Sequence, residues 1–331
     1  MAPIALTRMA ALAALAALLG TPATADLAEA VDQVITPAYA GLADAAADLD
    51  DAARQDCAPA AMRAPFQQAW DAWARIDFLR LGPVEEQGRS LAIAFWPDPK
   101  SSGLRAQQAL VAGDPQVIAD PALFAQVSVA ARGLSGLERL LYPSALTGAE
   151  DRLCALRRAT AADLARMTAE IAAEWPAHAA LLTTPGDANT SYLTTDEARQ
   201  ALFTQLVTGL ASLSDGRLGR PLGTFQKPRP ERAEAVASGR SLRNIRLSLE
   251  GLRDLALALH PDAPLTKAAF DRALALAQDL EDPVLAGVST PQGRLKVEIL
   301  QQAVQSAQAA VETEIGAALG VSTGFNAKDG D

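Results

Sequence analysis

Apolar positions recur at steps of three and four along most of this chain, and no stretch of strict alternation interrupts that rhythm. The clearest case is 293–319. There Val297, Leu300, Val304, Ala307, Val311, Ile315 and Ala318 make one stripe, which predicts a helix packed on a core. The same spacing predicts helices over 27–54, 60–79, 103–111, 121–142, 149–182, 195–214, 233–260 and 265–280. Acidic pairs open two of them, Glu150-Asp151 and Asp196-Glu197, as suits the positive end of a helix dipole. Pro176 is expected to kink the helix that contains it. Proline, glycine and asparagine gather in the connections 82–102, 186–191 and 215–230. The pattern is all-α, with two up-and-down helical bundles, one over 26–190 and the other over 191–331.

The first 25 residues break the pattern. Arg8 precedes an unbroken apolar run, Met9–Gly20, and Ala23-Thr24-Ala25 gives the small-x-small spacing of a cleavage site. These are the parts of a secretory signal peptide, with cleavage expected after Ala25 and a periplasmic mature protein. A dozen apolar residues fall short of the roughly 20 that span a bilayer, and no later segment is a candidate span. The full chain carries 29 Lys and Arg; without Arg8, 28 face 39 Asp and Glu, a formal charge of −11. A field of that sign repels nucleic acid and favours cationic or neutral partners.

Two cysteines, Cys57 and Cys154, remain in a chain expected to meet an oxidising compartment. In an up-down-up-down bundle, the connection after the first helix lies at the same end as the start of the fourth. The topology therefore brings the two together and predicts a disulfide. Closing so long a loop stabilises by about 4–5 kcal/mol in the chain-entropy model. Histidine occurs twice, at His178 and His260, so counting argues against a histidine-rich metal site.

The segment 131–142 holds the most unusual local chemistry. Leu123, Val127, Leu134, Leu137 and Leu141 are expected to form a buried stripe. Ser135, Glu138 and Tyr142 then share a neighbouring face. Gly133 and Gly136 inside a helix each cost about 1 kcal/mol against alanine, so another helix or a ligand must approach the backbone there. Read plainly, Glu138 pairs with an arginine at the core margin; read functionally, it faces a ligand. Phe95-Trp96-Pro97-Asp98 is a rigid aromatic connection that either plugs a bundle end or lines a cleft through Trp96 and Asp98. Arg240, Ser241, Arg243 and Asn244 cluster at a helix start, either solvated or binding an anion or Glu138.

Gly133-Leu134-Ser135-Gly136-Leu137-Glu138, followed by Leu140-Leu141-Tyr142, resembles the G-x-H-x-x-E motif of the imelysin family. Further similarities are Trp70 and Trp73, the Phe95–Asp98 segment, Ala233-Glu234, Ser238–Asn244, and the tail Gly324-Phe325-Asn326-Ala327. The resemblance implies a helical fold of two related halves with the motif near their interface. It also implies a link to iron uptake and a periplasmic or outer-membrane site. The family has been classed with metallopeptidases through its His/Glu motif. Here Ser135 stands at the histidine position, and a neutral hydroxyl is a poor ligand for Zn²⁺ or iron.

No catalytic residue is assigned on these grounds. The cofactor is left unknown, with a weakly bound metal ion as the open case and Glu138 as its only candidate ligand. The leading expectation is a binding or accessory protein of iron or metal acquisition. Its ligand would sit in a cleft between the halves lined by Gly133, Ser135, Glu138, Trp96, Asp98, Arg240, Ser241 and Asn244. Iron, another metal or a small ligand, and other periplasmic iron-uptake components, are the expected partners. A divergent metallopeptidase using Glu138 and a non-catalytic interaction scaffold are the alternatives.

Overall fold

The computed structural model describes residues 27–322; the expected signal peptide and the Gly324–Asp331 tail lie outside the described residues. The described residues are helical almost throughout, and their only β-pairing is an isolated bridge between Thr224 and Lys227. Nine principal helices carry the fold: α1 (Thr36–Gln55), α2 (Pro59–Ala74), α3 (Ser102–Ala112), α4 (Gly133–Leu141), α5 (Glu150–Thr183), α6 (Thr195–Ala211), α7 (Ser241–Leu259), α8 (Pro264–Asp279) and α9 (Pro291–Ala310). Helix α1 is entered through a short helical stretch, Leu27–Glu29, and a π-helical turn, Ala30–Ile35.

α1, α2, α4 and α5 pack on one another, and α6, α7, α8 and α9 form a second group. The two groups share one continuous apolar core, from Leu42, Trp70 and Leu164 through Leu206 and Leu252 to Val304. A small satellite core, Ile118, Phe124, Leu140 and Leu156, sits beside the first group. Helix α7 makes the join, packing on α2 and on the π turn before α1.

Local signals account for most helix ends. Thr194 caps α6 by accepting from the Glu197 amide at 3.2 Å, while Glu197 reaches back to the Leu193 amide at 2.6 Å, a capping-box arrangement. Asp98 serves α3 in the same way, accepting from the amides of Ser102 and Gly103 at 2.7 and 2.8 Å. The expected kink at Pro176 does not divide α5, which runs unbroken across it. The neighbouring Trp175 is buried and its indole donates to Thr36 at 3.0 Å, so packing holds the helix where proline removes one hydrogen bond.

The expected single helix over 121–142 is the main correction. The chain makes a short helix, Pro121–Phe124, then a 3-10 turn, Val129–Ala131, and restarts at Gly133. Gly133 is therefore at a helix start with φ +59°, not in a helix interior, and Leu123 is exposed, not buried. Two tertiary contacts drive the break. Arg132 turns inward to a buried ion pair with Asp163, at 2.7 and 3.0 Å. Gln107 donates to the carbonyls of Ala131 and Gly136, at 3.1 and 3.0 Å, which satisfies groups around the restart.

A second correction lies at 233–240, where the predicted helix start is a turn with Ala235 at φ +52° and Gly239 at φ +72°. Helix α7 begins only at Ser241. Cys57 and Cys154 are joined by a disulfide, with Cα atoms 5.4 Å apart, as the bundle topology requires.

Candidate functional site

Gly133 is fixed by its surroundings as well as by its φ. A Cβ there would lie 2.1 Å from the Ala92 carbonyl oxygen and 2.3 Å from that of Ile93. The motif helix α4 is thus set directly against the Arg89–Ile93 helix and the connection to Trp96. At Gly136 a Cβ would meet the Ala131 carbonyl at 2.4 Å. Both glycines answer backbone approach, as their positions suggest, but the approaching groups are protein carbonyls.

Glu138 meets Ser238 from the second group of helices. Its Oε1 accepts from the Ser238 amide at 2.9 Å and from the Ser238 hydroxyl at 2.6 Å. Burial raises the Glu138 pKa, and the two Ser238 donors only partly oppose it. Ser135 is buried, and its hydroxyl has no hydrogen-bond partner among the described residues.

Arg240 is not the partner of Glu138. Its guanidinium is 1% exposed, lies over the Trp70 ring at 5.5 Å, and pairs with Asp71 at 2.6 Å. It also donates to the backbone and side-chain oxygens of Gln67, and to Asn244 at 3.2 Å. Arg243 holds the other oxygen of Asp71. Burial alone would raise the Asp71 pKa; the donors from Arg243 and Arg240 outweigh it and hold the carboxyl below its ordinary range. Gln67 joins the two clusters, donating to the Tyr142 hydroxyl at 2.7 Å and to the Ser238 carbonyl at 3.5 Å.

From Asn244 the network continues inward. Asn244 donates to Glu234 at 2.9 Å, and the Ser241 hydroxyl donates to the Glu234 carbonyl. Glu234 faces Arg217 at 2.8 Å, and Arg217 also binds Asp77 and the Ser248 hydroxyl, the latter at 2.6 Å. Arg217 sits in a π-helical turn, Ser212–Leu218, that extends α6. Such turns add a residue to the helix and re-aim its side chains, a device often found at functional sites. Burial disfavours the Arg217 charge, but Asp77 and Glu234 overcome this and hold its pKa above the usual arginine value.

This inner cluster lines a cavity of about 330 Å³ between the two groups of helices. Trp73, Asp77 and Trp96 come from the first group; Arg217, Glu234 and Ser248 come from the second. Arg80 lies over Trp73 and Arg220 over Trp96, each at 5.6 Å from the ring centroid, so the indole walls are backed by cations. The volume suits a small molecule.

Of the sequence candidates, Trp96 lines this cavity. Arg240, Ser241 and Asn244 stand behind its wall through Glu234. Gly133, Ser135 and Glu138 belong to the adjoining motif cluster, and Asp98 is occupied as the α3 cap. Asp77, Arg217 and Glu234 are the residues that sequence reasoning passed over as site groups. Asp77, an acid within Ile76-Asp77-Phe78-Leu79, was the one local signal; Arg217, in a segment read as a loop, offered none.

The donors present do not fit a tightly held metal ion. Glu138 is a single carboxylate already engaged by Ser238, and Arg217 places a positive charge between Asp77 and Glu234. Among the described residues no three His, Cys, Asp or Glu side chains gather as ligands. His178 packs with Trp175 and Tyr192, and His260 caps the end of α7.

The family model described as Imelysin matches residues 35–311. Iron-regulated protein A of Synechococcus elongatus is 24% identical over 315 residues, covering 86% of this chain and 83% of that protein. A solved imelysin-like protein from Psychrobacter arcticum 273-4 superposes with a TM-score of 0.73 at 20% identity, covering 90% of this chain and 96% of that one. At that identity the likeness establishes the fold.

Proposed function

The chain belongs to the imelysin family, and on that premise we propose that it is a periplasmic accessory protein of iron acquisition that binds a small ligand in the cavity between its two groups of helices. The observation that carries this reading is the buried Asp77–Arg217–Glu234 cluster at the cavity, walled by Trp73 and Trp96. A buried ion cluster at a cavity wall is a costly arrangement for stability alone, since apolar replacements serve the core as well or better. The similarity to a protein named for iron regulation supports the link to iron. The disulfide and the leader-like first 25 residues support an oxidising compartment.

The cavity suits iron delivered as a chelate rather than as a bare ion. Arg80, Arg217 and Arg220 outnumber Asp77 and Glu234 on its walls, and two indoles offer flat contact surfaces. A carboxylate-bearing chelate meets both features, whereas a bare cation meets Arg217 first.

Tryptophan fluorescence reads this directly, because Trp73 and Trp96 are on the wall. Ferric citrate is expected to quench the mature protein saturably, with the effect weakened at least tenfold in Arg220→Ala. Ferrous sulfate alone is expected to give no saturable change. Tight binding of the bare ion, or turnover of a peptide by the purified protein, would count against this reading.

A further inference from the structure

Arginines in this acidic chain are not spread evenly over its surface. Arg89 and Arg132 are 3% and 5% exposed, and both line a second cavity, of about 410 Å³, together with the half-buried Arg166. Gln87, Ala125, Gln126 and Met167 complete the wall, and no carboxylate is part of it. This cavity lies within the first group of helices, on α5, and shares no residue with the one between the groups.

The three guanidiniums have counter-ions, all from α5 and none of them on the cavity wall. Arg132 gives Nε and Nη2 to Asp163. Arg89 gives its two Nη groups to Glu170, Glu174 and the Pro83 carbonyl. Arg166 gives its Nη groups to Glu170 and Asp163, at 2.7 to 2.9 Å. These bonds fix the arginines in place without using all their donors. The Nε of Arg89 is buried with no partner. Among the described residues, Nη1 of Arg132 and Nε of Arg166 also have no acceptor. A guanidinium has five N–H groups and no acceptor of its own, so only an incoming oxygen can satisfy those that remain.

We propose that this cavity is a binding site for a small oxyanion, a phosphate or carboxylate group, held by Arg89, Arg132 and Arg166. The chemistry selects the charge. The wall presents guanidinium N–H donors and no carboxylate, so it offers a metal ion no ligand, while an unpartnered N–H gains from an anionic oxygen, and such charge-assisted bonds are the stronger kind. The ion pairs behind the wall hold the donors in place, so binding needs little reorganisation. Gln87 and Gln126, both exposed on the wall, add neutral amides at the mouth.

Isothermal titration calorimetry of the mature protein at low ionic strength, with inorganic phosphate and separately with succinate, tests the site. Saturable 1:1 binding of at least one anion is expected, with a dissociation constant below about 1 mM, and the preferred anion identifies the group. Gln126→Glu puts a negative charge at the exposed mouth without touching a buried pair. It is expected to weaken binding at least tenfold while leaving the unfolding midpoint unchanged. Gln87→Glu repeats the test from the opposite segment. Absence of saturation by either anion up to about 10 mM, or unaltered binding in both glutamate variants, would overturn the proposal.

Discussion

Ser238 gives both its amide and its hydroxyl to one oxygen of Glu138, at 2.9 and 2.6 Å, and so ties the motif helix to the turn that leads into α7 of the second group. The contact replaces the arginine partner that spacing suggested for Glu138. A carboxylate buried against two neutral donors keeps a raised pKa, because burial costs it more than those bonds return.

A pH dependence follows, with a definite sign. A carboxyl whose folded pKa lies above its unfolded value binds protons more tightly when folded, so stability falls as pH rises through the window above the ordinary 4.5. Glu138→Gln removes that penalty while keeping an oxygen to accept from Ser238. The variant is expected to melt above the parent at pH 7, with the difference vanishing as pH falls to 4.5. Scanning calorimetry across that range checks it; a difference that grows toward acid pH would contradict the assignment.

Asp71 behaves in the opposite sense. Its depressed pKa means that its stabilisation is present above the ordinary carboxylate value and is lost as pH falls through the folded pKa. Asp71→Asn leaves Arg240 buried without its counter-ion, although Gln67 and Asn244 still accept from it. A loss of about 2–3 kcal/mol is expected by urea unfolding at pH 7, below the full cost of breaking a buried pair. A double-mutant cycle with Arg240→Ala should show strong coupling to Asp71.

Arg217 holds two buried acids at once. Arg217→Met is expected to cost about 3–5 kcal/mol, because Asp77 and Glu234 are left facing each other unpaired. Adding Asp77→Asn and Glu234→Gln should recover most of that loss. Denaturant midpoints of the single and triple variants measure the recovery, and a triple variant no better than the single would show that Arg217 matters through packing.

Gly133→Ala is expected to destabilise by at least about 3 kcal/mol, combining a left-handed backbone with contacts of 2.1 and 2.3 Å against carbonyls that cannot move aside. Gly41→Ala, where a Cβ meets nothing within 4 Å, is the matched control and should be neutral or slightly stabilising.

Replacing Cys57 and Cys154 by serine should cost up to about 4–5 kcal/mol, the loop-closure value for a sequence separation of 97. Thiol labelling of the denatured, unreduced parent should find no free cysteine.

The sequence by itself determined most of the helices, the fold class, the family and the disulfide. Each rests on information that is local or topological: stripes such as Val297 to Val311, an acidic helix opening such as Glu150-Asp151, and a helix order that brings Cys57 to Cys154. It also marked Trp96, Arg240 and Asn244 as residues near a site, through their resemblance to family segments. What only the tertiary structure decided was which polar groups face one another. Arg217 and Asp77 are 140 positions apart, Arg240 and Asp71 169, and Glu138 and Ser238 100. No periodicity records such pairings. The restart at Gly133 and the delayed start of α7 belong to the same class, since the buried bonds of Arg132 to Asp163 and of Glu234 to Arg217 and Asn244 override helix-forming neighbours there. Burial makes an unpaired charge so costly that the backbone bends to pair it, and that cost exists only once the chain has folded.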